Sequence, residues 1–141
     1  MIDVENLVVD TITKAVQGTY SNVLVESDYN DTPSSFPFVS VVEIDNYTYR
    51  RTQDGDLKEH HTNVSYEVNV YSNKTSGKKA EAKAIMEIID NAFQNIKFTR
   101  TVKQSIPNKD KSIYRMIARY EAVIGEPQTI GKNKVYQVYR K

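Results

Sequence analysis

The stretch His60-His-Thr-Asn-Val-Ser-Tyr-Glu-Val-Asn-Val-Tyr-Ser72 alternates strictly. Val64, Tyr66, Val68 and Val70 take every second position, with Ser65, Glu67 and Asn69 between them. Successive side chains of a strand point to opposite faces, so the pattern predicts a strand over 60–72 with one buried and one polar face. Such a sheet needs a layer to cover its apolar side, and the sequence offers two helical patterns for the task. Val4, Leu7, Val8, Ile12, Ala15 and Val16 recur at helical spacing over 3–17, with Asp3 placed to cap and Gly18 to stop. Ala84, Ile85, Ile88, Ile89, Ala92 and Ile96 do the same over 77–95, with Ser76 as the expected cap.

Outward from the central strand, Phe38 to Arg51 reads as a second long strand. It is almost wholly apolar to Ile44 and alternates around Tyr47, Tyr49 and Arg51. Thr52 to Glu59, containing Gln-Asp-Gly-Asp, is the polar tip between the two. Val23 to Glu26 is a short strand, and residues 28–37, with two prolines, form a loop. Phe98 to Gln104 and Ile113 to Ile124 are the remaining strands, and Val135-Tyr-Gln-Val-Tyr139 is a short alternating C-terminal segment. The predicted class is α+β, a mainly antiparallel β-sheet with two α-helices packed on one face. The expected division is a domain over 1–125 and a C-terminal extension over 126–141 with a short strand.

Composition narrows the function. The 141 residues contain no cysteine and two histidines, which excludes disulfides and a thiolate metal site. Lys+Arg 19 against Asp+Glu 18 argues against a dedicated nucleic-acid binder. No apolar run approaches the ~20 residues of a membrane span. The start Met1-Ile-Asp-Val-Glu-Asn6 lacks the basic and apolar stretches of a signal peptide, so an intracellular protein is expected. The glycines are scattered and form no phosphate loop or nucleophile elbow. No catalytic centre, cofactor or metal is expected. His60 or His61 with Asp54, Asp56 and Glu59 is the one combination that could hold a divalent metal, as in a small nuclease. Adjacent strand residues point apart, so the two histidines cannot chelate one ion together. Lys74, Lys78, Lys79 and Lys83 around the start of the second helix read as a solvated cluster rather than a phosphate grip.

The last long strand is more informative. Tyr114, Met116, Ala118, Tyr120, Ala122 and Ile124 share the core face. Ile113, Arg115, Ile117, Arg119, Glu121 and Val123 share the other, where apolar groups in line with charges suit a partner contact. The expected interface also takes in Arg50 and Arg51, then Asp54, Asp56 and Leu57 of the polar tip. The C-terminal Val135, Tyr136, Val138 and Tyr139 complete it, and their alternation suits addition to a sheet edge, within the subunit or between subunits.

Four blocks of the sequence resemble a known family. They are Ser34 to Asp54, Glu59 to Lys74, Gly77 to Asp90 and Ser112 to Ile124. They are similar to stretches of small tail-completion proteins, the tail terminators of phages and prophages of Gram-positive bacteria. The resemblance runs from about Tyr20 to Ile124 and leaves out the segment after Gly125. It implies a structural α+β subunit without a catalytic motif that forms a six-fold ring on the last ring of the tail tube. Such a ring stops tube polymerisation and offers a docking surface for the neck of the head. The implied partners are further copies of the chain, the tube protein, a neck or head-completion protein and, in a contractile tail, the sheath. DNA passes through the ring without specific recognition, no membrane is involved, and the location is the virion tail, assembled in the host cytoplasm. The alternatives are a neck or head-completion connector and the metal-dependent nuclease named above.

Overall fold

A computed structural model describes residues 2–30, 33–50, 61–108 and 110–125, together with the backbone of 128–130 and 133–135. The elements in chain order are α1 (Glu5–Gln17), β1 (Leu24–Glu26), β2 (Phe38–Thr48) and β3 (His61–Ser72). They continue with α2 (Lys78–Asn95), β4 (Thr99–Ile106), β5 (Tyr114–Gly125), β6 (Gln128–Ile130) and β7 (Asn133–Val135). The first five strands make one sheet in the order β1-β2-β3-β5-β4, and β6 and β7 pair with each other as a separate ribbon. The fold is α+β, as the alternation and helical stripes predict.

The pattern of β3 decides its central place. Val64, Tyr66, Val68 and Val70 are fully buried and join one core with Val8, Ile12 and Val16 of α1 and Ile85, Met86, Ile89 and Phe93 of α2. Both helices therefore cover the same face. On β5 the partners of these residues are Ala122, Tyr120, Ala118 and Met116, so the core face of β5 is the one its alternation indicates. Aromatic rings fill the centre. Phe93 stacks on Tyr120 with centroids 4.1 Å apart and planes 8° from parallel, and Phe98 stands edge-on to Phe93 and Tyr66 at 5.3 and 5.9 Å. Stacked and edge-on pairs add about 0.5–1.5 kcal/mol beyond the area they bury. The two core tyrosines keep their hydroxyls satisfied, Tyr120 donating to Asp90 at 2.8 Å and Tyr66 to Glu43 at 3.4 Å. Burial, with these carboxylates beside them, pushes both phenols well above their ordinary pKa.

Three local features go beyond the sequence reading or differ from it. Strand β1 runs parallel to β2, a direction that the expectation of a mainly antiparallel sheet left open. The parallel pairing requires the chain to return from the end of β1 at Glu26 to the start of β2 at Phe38 on the same end of the sheet. In β2 a bulge between Glu43 and Asp45 switches the faces. Before it Val39 and Val41 point to the helices; after it Asn46 and Thr48 do, opposite Val64 and Thr62. The helix caps also differ. Asp3 accepts the Glu5 N–H at 3.0 Å but is not the capping position, and Gly77 rather than Ser76 precedes α2, at φ 86°.

The end of α2 is a left-handed turn on a residue with a side chain. Lys97 has φ 70°, its N–H donates to the Gln94 carbonyl, and the Phe98 N–H donates to the Phe93 carbonyl. This is a Schellman closure, sealed by the Phe93–Phe98 ring contact. A left-handed backbone costs an ordinary residue about 1 kcal/mol, and glycine escapes most of that penalty. Lys97→Gly is therefore expected to raise the unfolding free energy by about 0.5 kcal/mol, after allowing for the looser unfolded chain. Urea unfolding reads this as a higher midpoint at constant slope, and a lower midpoint would show that the turn is not under strain.

Candidate assembly interface

The face of the sheet turned away from the helices carries the charged residues. Register places Glu67 opposite Arg119, Asn69 opposite Ile117 and Tyr71 opposite Arg115. The Arg119 Nε and a terminal guanidinium nitrogen both reach Glu67 Oε2 at 3.1 Å. Asn69 donates to the other Glu67 oxygen at 3.3 Å and accepts from Arg115 Nε at 3.0 Å. The Arg115 guanidinium lies 5.4 Å over the Tyr71 ring, and Tyr71 packs on Phe38 with centroids 5.8 Å apart. The β1–β2 crossover lies over this face. Tyr29 within it lies beside Glu67, and burial together with that carboxylate raises the Tyr29 phenol.

This network changes the expected polar face. Glu67, Asn69 and Tyr71 are buried, as are Phe38 and Ile117. Ile117, placed by its alternation on the partner-facing side, does lie on that side but is covered within the subunit. Arg115 is half-buried and committed to Asn69 and Tyr71, whereas Arg119 keeps half of its side chain in solvent. Ile113 is half-buried just before β5, with its N–H donating to the Asp110 carbonyl. Arg50 is exposed beyond β2. Arg51, Asp54, Asp56 and Leu57 lie outside the described residues, as do Tyr136, Val138 and Tyr139. Val135 is described by its backbone alone, in β7 opposite Gln128. Of the proposed metal set, His60, Asp54, Asp56 and Glu59 lie outside the described residues, and His61 opens β3, edge-on to Tyr49.

The sequence reading missed how far this face extends. Val102 and Gln104 of β4 stand opposite Arg119 and Ile117, which carries the face to the sheet's edge. Strand β4 is exposed along its length except at Ile106, and it is hydrogen-bonded on one side to β5. The described residues include five exposed large hydrophobics: Leu7, Leu24, Tyr29, Tyr47 and Val102. Leu24 pairs with Phe38, Tyr47 with Asn63 and Val102 with Arg119, and Tyr29 lies beside Glu67. Four of the five therefore share the outer face. Alternation signals this for Tyr47 and Val102 only after the sheet order is known. Tyr29 sits in a loop, where no periodicity exists to read.

A second feature lies on the helix side of the sheet. Val4, Leu7 and Val8, the turn after α2 with Ile96 and Phe98, and Ile124 of β5 line an apolar groove of about 270 Å³. Next to Val4 in the chain, Asp3 and Glu5 come together with Glu43, their carboxylate oxygens all within 4.8 Å of one another. Burial, and repulsion from Asp3 and Glu5, hold Glu43 above the usual carboxylate range, although its bonds from Asn46 and Tyr66 act the other way.

No protein-family model matches the chain, and no curated protein does. Among solved structures the chain is similar to one in the cryo-EM structure of an extracellular contractile injection system, the PVC sheath/tube terminator in its extended state. The identity is 13%, the TM-score 0.45, and the match covers 93% of this chain and 63% of that one. This chain thus spans less than two thirds of that neighbour's length. A likeness at this level carries no role across.

The Glu67 network sets a clear expectation. Removing Arg119 leaves a buried carboxylate to which the Asn69 amide still donates. Because Arg119 is half exposed, Arg119→Ala should cost about 1–2 kcal/mol rather than the larger loss of a fully buried pair. Adding Glu67→Gln should return part of that loss. Urea unfolding of the two single variants and the double variant checks this, and strictly additive losses would mean that the two groups do not interact.

Proposed function

We propose that the chain is a structural subunit of a phage-type tail, a terminator that assembles as a hexameric ring on the end of the tail tube. The ring stops tube polymerisation and presents a docking surface to a neck or head-completion protein, and to the sheath where the tail contracts. The particle or its precursor assembles in the bacterial cytoplasm, and no catalysis, cofactor, membrane or specific nucleic-acid contact is part of the role. The four sequence blocks that resemble tail-completion proteins support the assignment of role. The observation that supports association is that Leu24, Tyr29, Tyr47 and Val102 are all exposed on one face of the sheet, Leu24 and Val102 at its two edges. Single exposed apolar groups are ordinary, but a face that combines them with arginine and tyrosine has the composition of a protein contact.

A closed ring needs a heterologous contact, in which one patch meets a different patch on the next subunit. The outer face around Arg119 and the long β4 edge are two unlike surfaces of this kind. Arg50, Arg51, Asp54, Asp56 and Leu57, at and beyond the end of β2, are assigned to the tube or neck side.

Val102→Asp tests the proposal. Val102 is 37% exposed on an edge strand, so the substitution should leave the melting temperature nearly unchanged. It should abolish the ring when purified tube ends are offered, as seen by electron microscopy. The unsubstituted protein is expected at the head-proximal end of the tube, and tubes grown without it should run past their normal length. Normal tube length without the protein, or a location on the portal with no tube contact, would favour the connector reading.

A further inference from the structure

The five-stranded sheet ends on β1 at one side and β4 at the other, and these two strands run in opposite directions. β1 is parallel to β2, β2 and β5 are each antiparallel to β3, and β4 is antiparallel to β5. A second copy turned about an axis along the strands keeps every strand direction. Its β1 therefore meets β4 of the first copy antiparallel, in the slightly more stable of the two ladders. Both edges offer open backbone. Among the described residues β4 pairs with β5 alone. On β1 the Leu24 N–H donates to the Pro37 carbonyl at 3.3 Å, so alternation turns the Val25 N–H and C=O away from β2.

The side chains agree with this pairing. Leu24 and Val102 are 38% and 37% exposed, and both stand on the outer face, Leu24 opposite Phe38 and Val102 opposite Arg119. Continuing the sheet sets them on one side of the junction, where apolar groups directly or diagonally opposed cover each other. Charge selects the partner edge. Strand β4 carries Arg100, bound to Asp90, and the exposed Lys103, and it has no acid. Strand β1 carries Glu26 and no cation. Two β4 edges would bring their cations together, and the bulge between Arg100 and Val102 adds to that guard against self-pairing. The β1 edge has neither obstacle. We propose that β4 of one copy pairs antiparallel with β1 of the next, Val102 covering Leu24 on the outer face and Val25 exchanging backbone hydrogen bonds with β4. The sheet then runs on from subunit to subunit. This contact presupposes the ring proposed above and is the junction that closes it, with β1 as the border of the outer face that receives the β4 edge. β1 has three residues, so each junction is short, and a short edge strand protects free subunits from pairing before they are gathered together.

The chain has no cysteine, so substituted pairs report the junction directly. Leu24→Cys is combined with Val102→Cys, with Gln104→Cys or with Lys103→Cys, all at exposed positions that tolerate the change. Each double variant is mildly oxidised on purified tube ends and, separately, alone at high concentration. Gln104 shares the outer face with Val102, whereas Lys103 lies on the helix side, opposite Ala118. The two outer-face pairs are expected to give a ladder of linked chains on a denaturing gel, ending at the hexamer. The Lys103→Cys pair should not form it, because side chains on opposite faces cannot be bridged without backbone movement. An equal mixture of the single variants Leu24→Cys and Val102→Cys should give dimers that neither gives alone. A ring on the tube without outer-face links would overturn the junction and leave the terminator reading standing, with the β4 edge given to the tube protein. Links in concentrated protein, with no ring on the tube, would keep the junction and overturn the terminator reading. Dimers from Val102→Cys alone would show β4 paired with β4 and overturn the junction, as would the absence of links under both conditions.

Discussion

The stacking of Phe93 on Tyr120 ties the second helix to the sheet, and much of the architecture hangs from that contact. The two rings lie at 4.1 Å, and Tyr66 and Phe98 close around them. Each ring of this size buries enough apolar surface for about 2–3 kcal/mol. The stack fixes the roll of α2, which places Asp90 where it accepts from both the Tyr120 hydroxyl and Arg100. Arg100 belongs to β4, so the same carboxylate fastens the helix to the edge strand. The left-handed turn at Lys97 follows as the means of bringing Phe98 back under Phe93.

The opposite face obeys a different constraint. Once β3 lies between β2 and β5, its even positions go to the helices and its odd positions to the far side. Glu67 is then too far from water to stand alone. It is stabilised by the Arg119 guanidinium and the Asn69 amide together, with Tyr29 beside it. The crossover that supplies Tyr29 exists because β1 is parallel to β2. A polar face is thereby turned into a partly buried one, and the apolar groups left exposed on it gather around the rim. That arrangement suits contact with another protein better than solvation.

The two apolar surfaces differ in kind. The outer face is broad, rimmed by arginine and open at a long strand edge. The groove by Leu7 is smaller, about 270 Å³, with the carboxylates of Asp3, Glu5 and Glu43 next to its wall residue Val4. A broad open surface fits a folded partner, and a narrow cleft fits an extended peptide.

By itself the sequence determined the strand β3, the two helices, the class of the fold and the sidedness of β5. Each rests on a local period of two or 3.6 residues, which backbone geometry imposes without reference to the rest of the chain. It also indicated that Arg115 and Arg119 share a face with Ile117. Only the tertiary structure decided that Ile117 is covered, that Glu67 is buried with Arg119, and that Val102 stands beside them. Those facts depend on β5 lying between β3 and β4, and on a loop crossing the sheet. Strand order and loop path are set by contacts between residues distant in the chain. No periodicity records them, because the energy that selects them comes from packing partners that the local sequence does not contain.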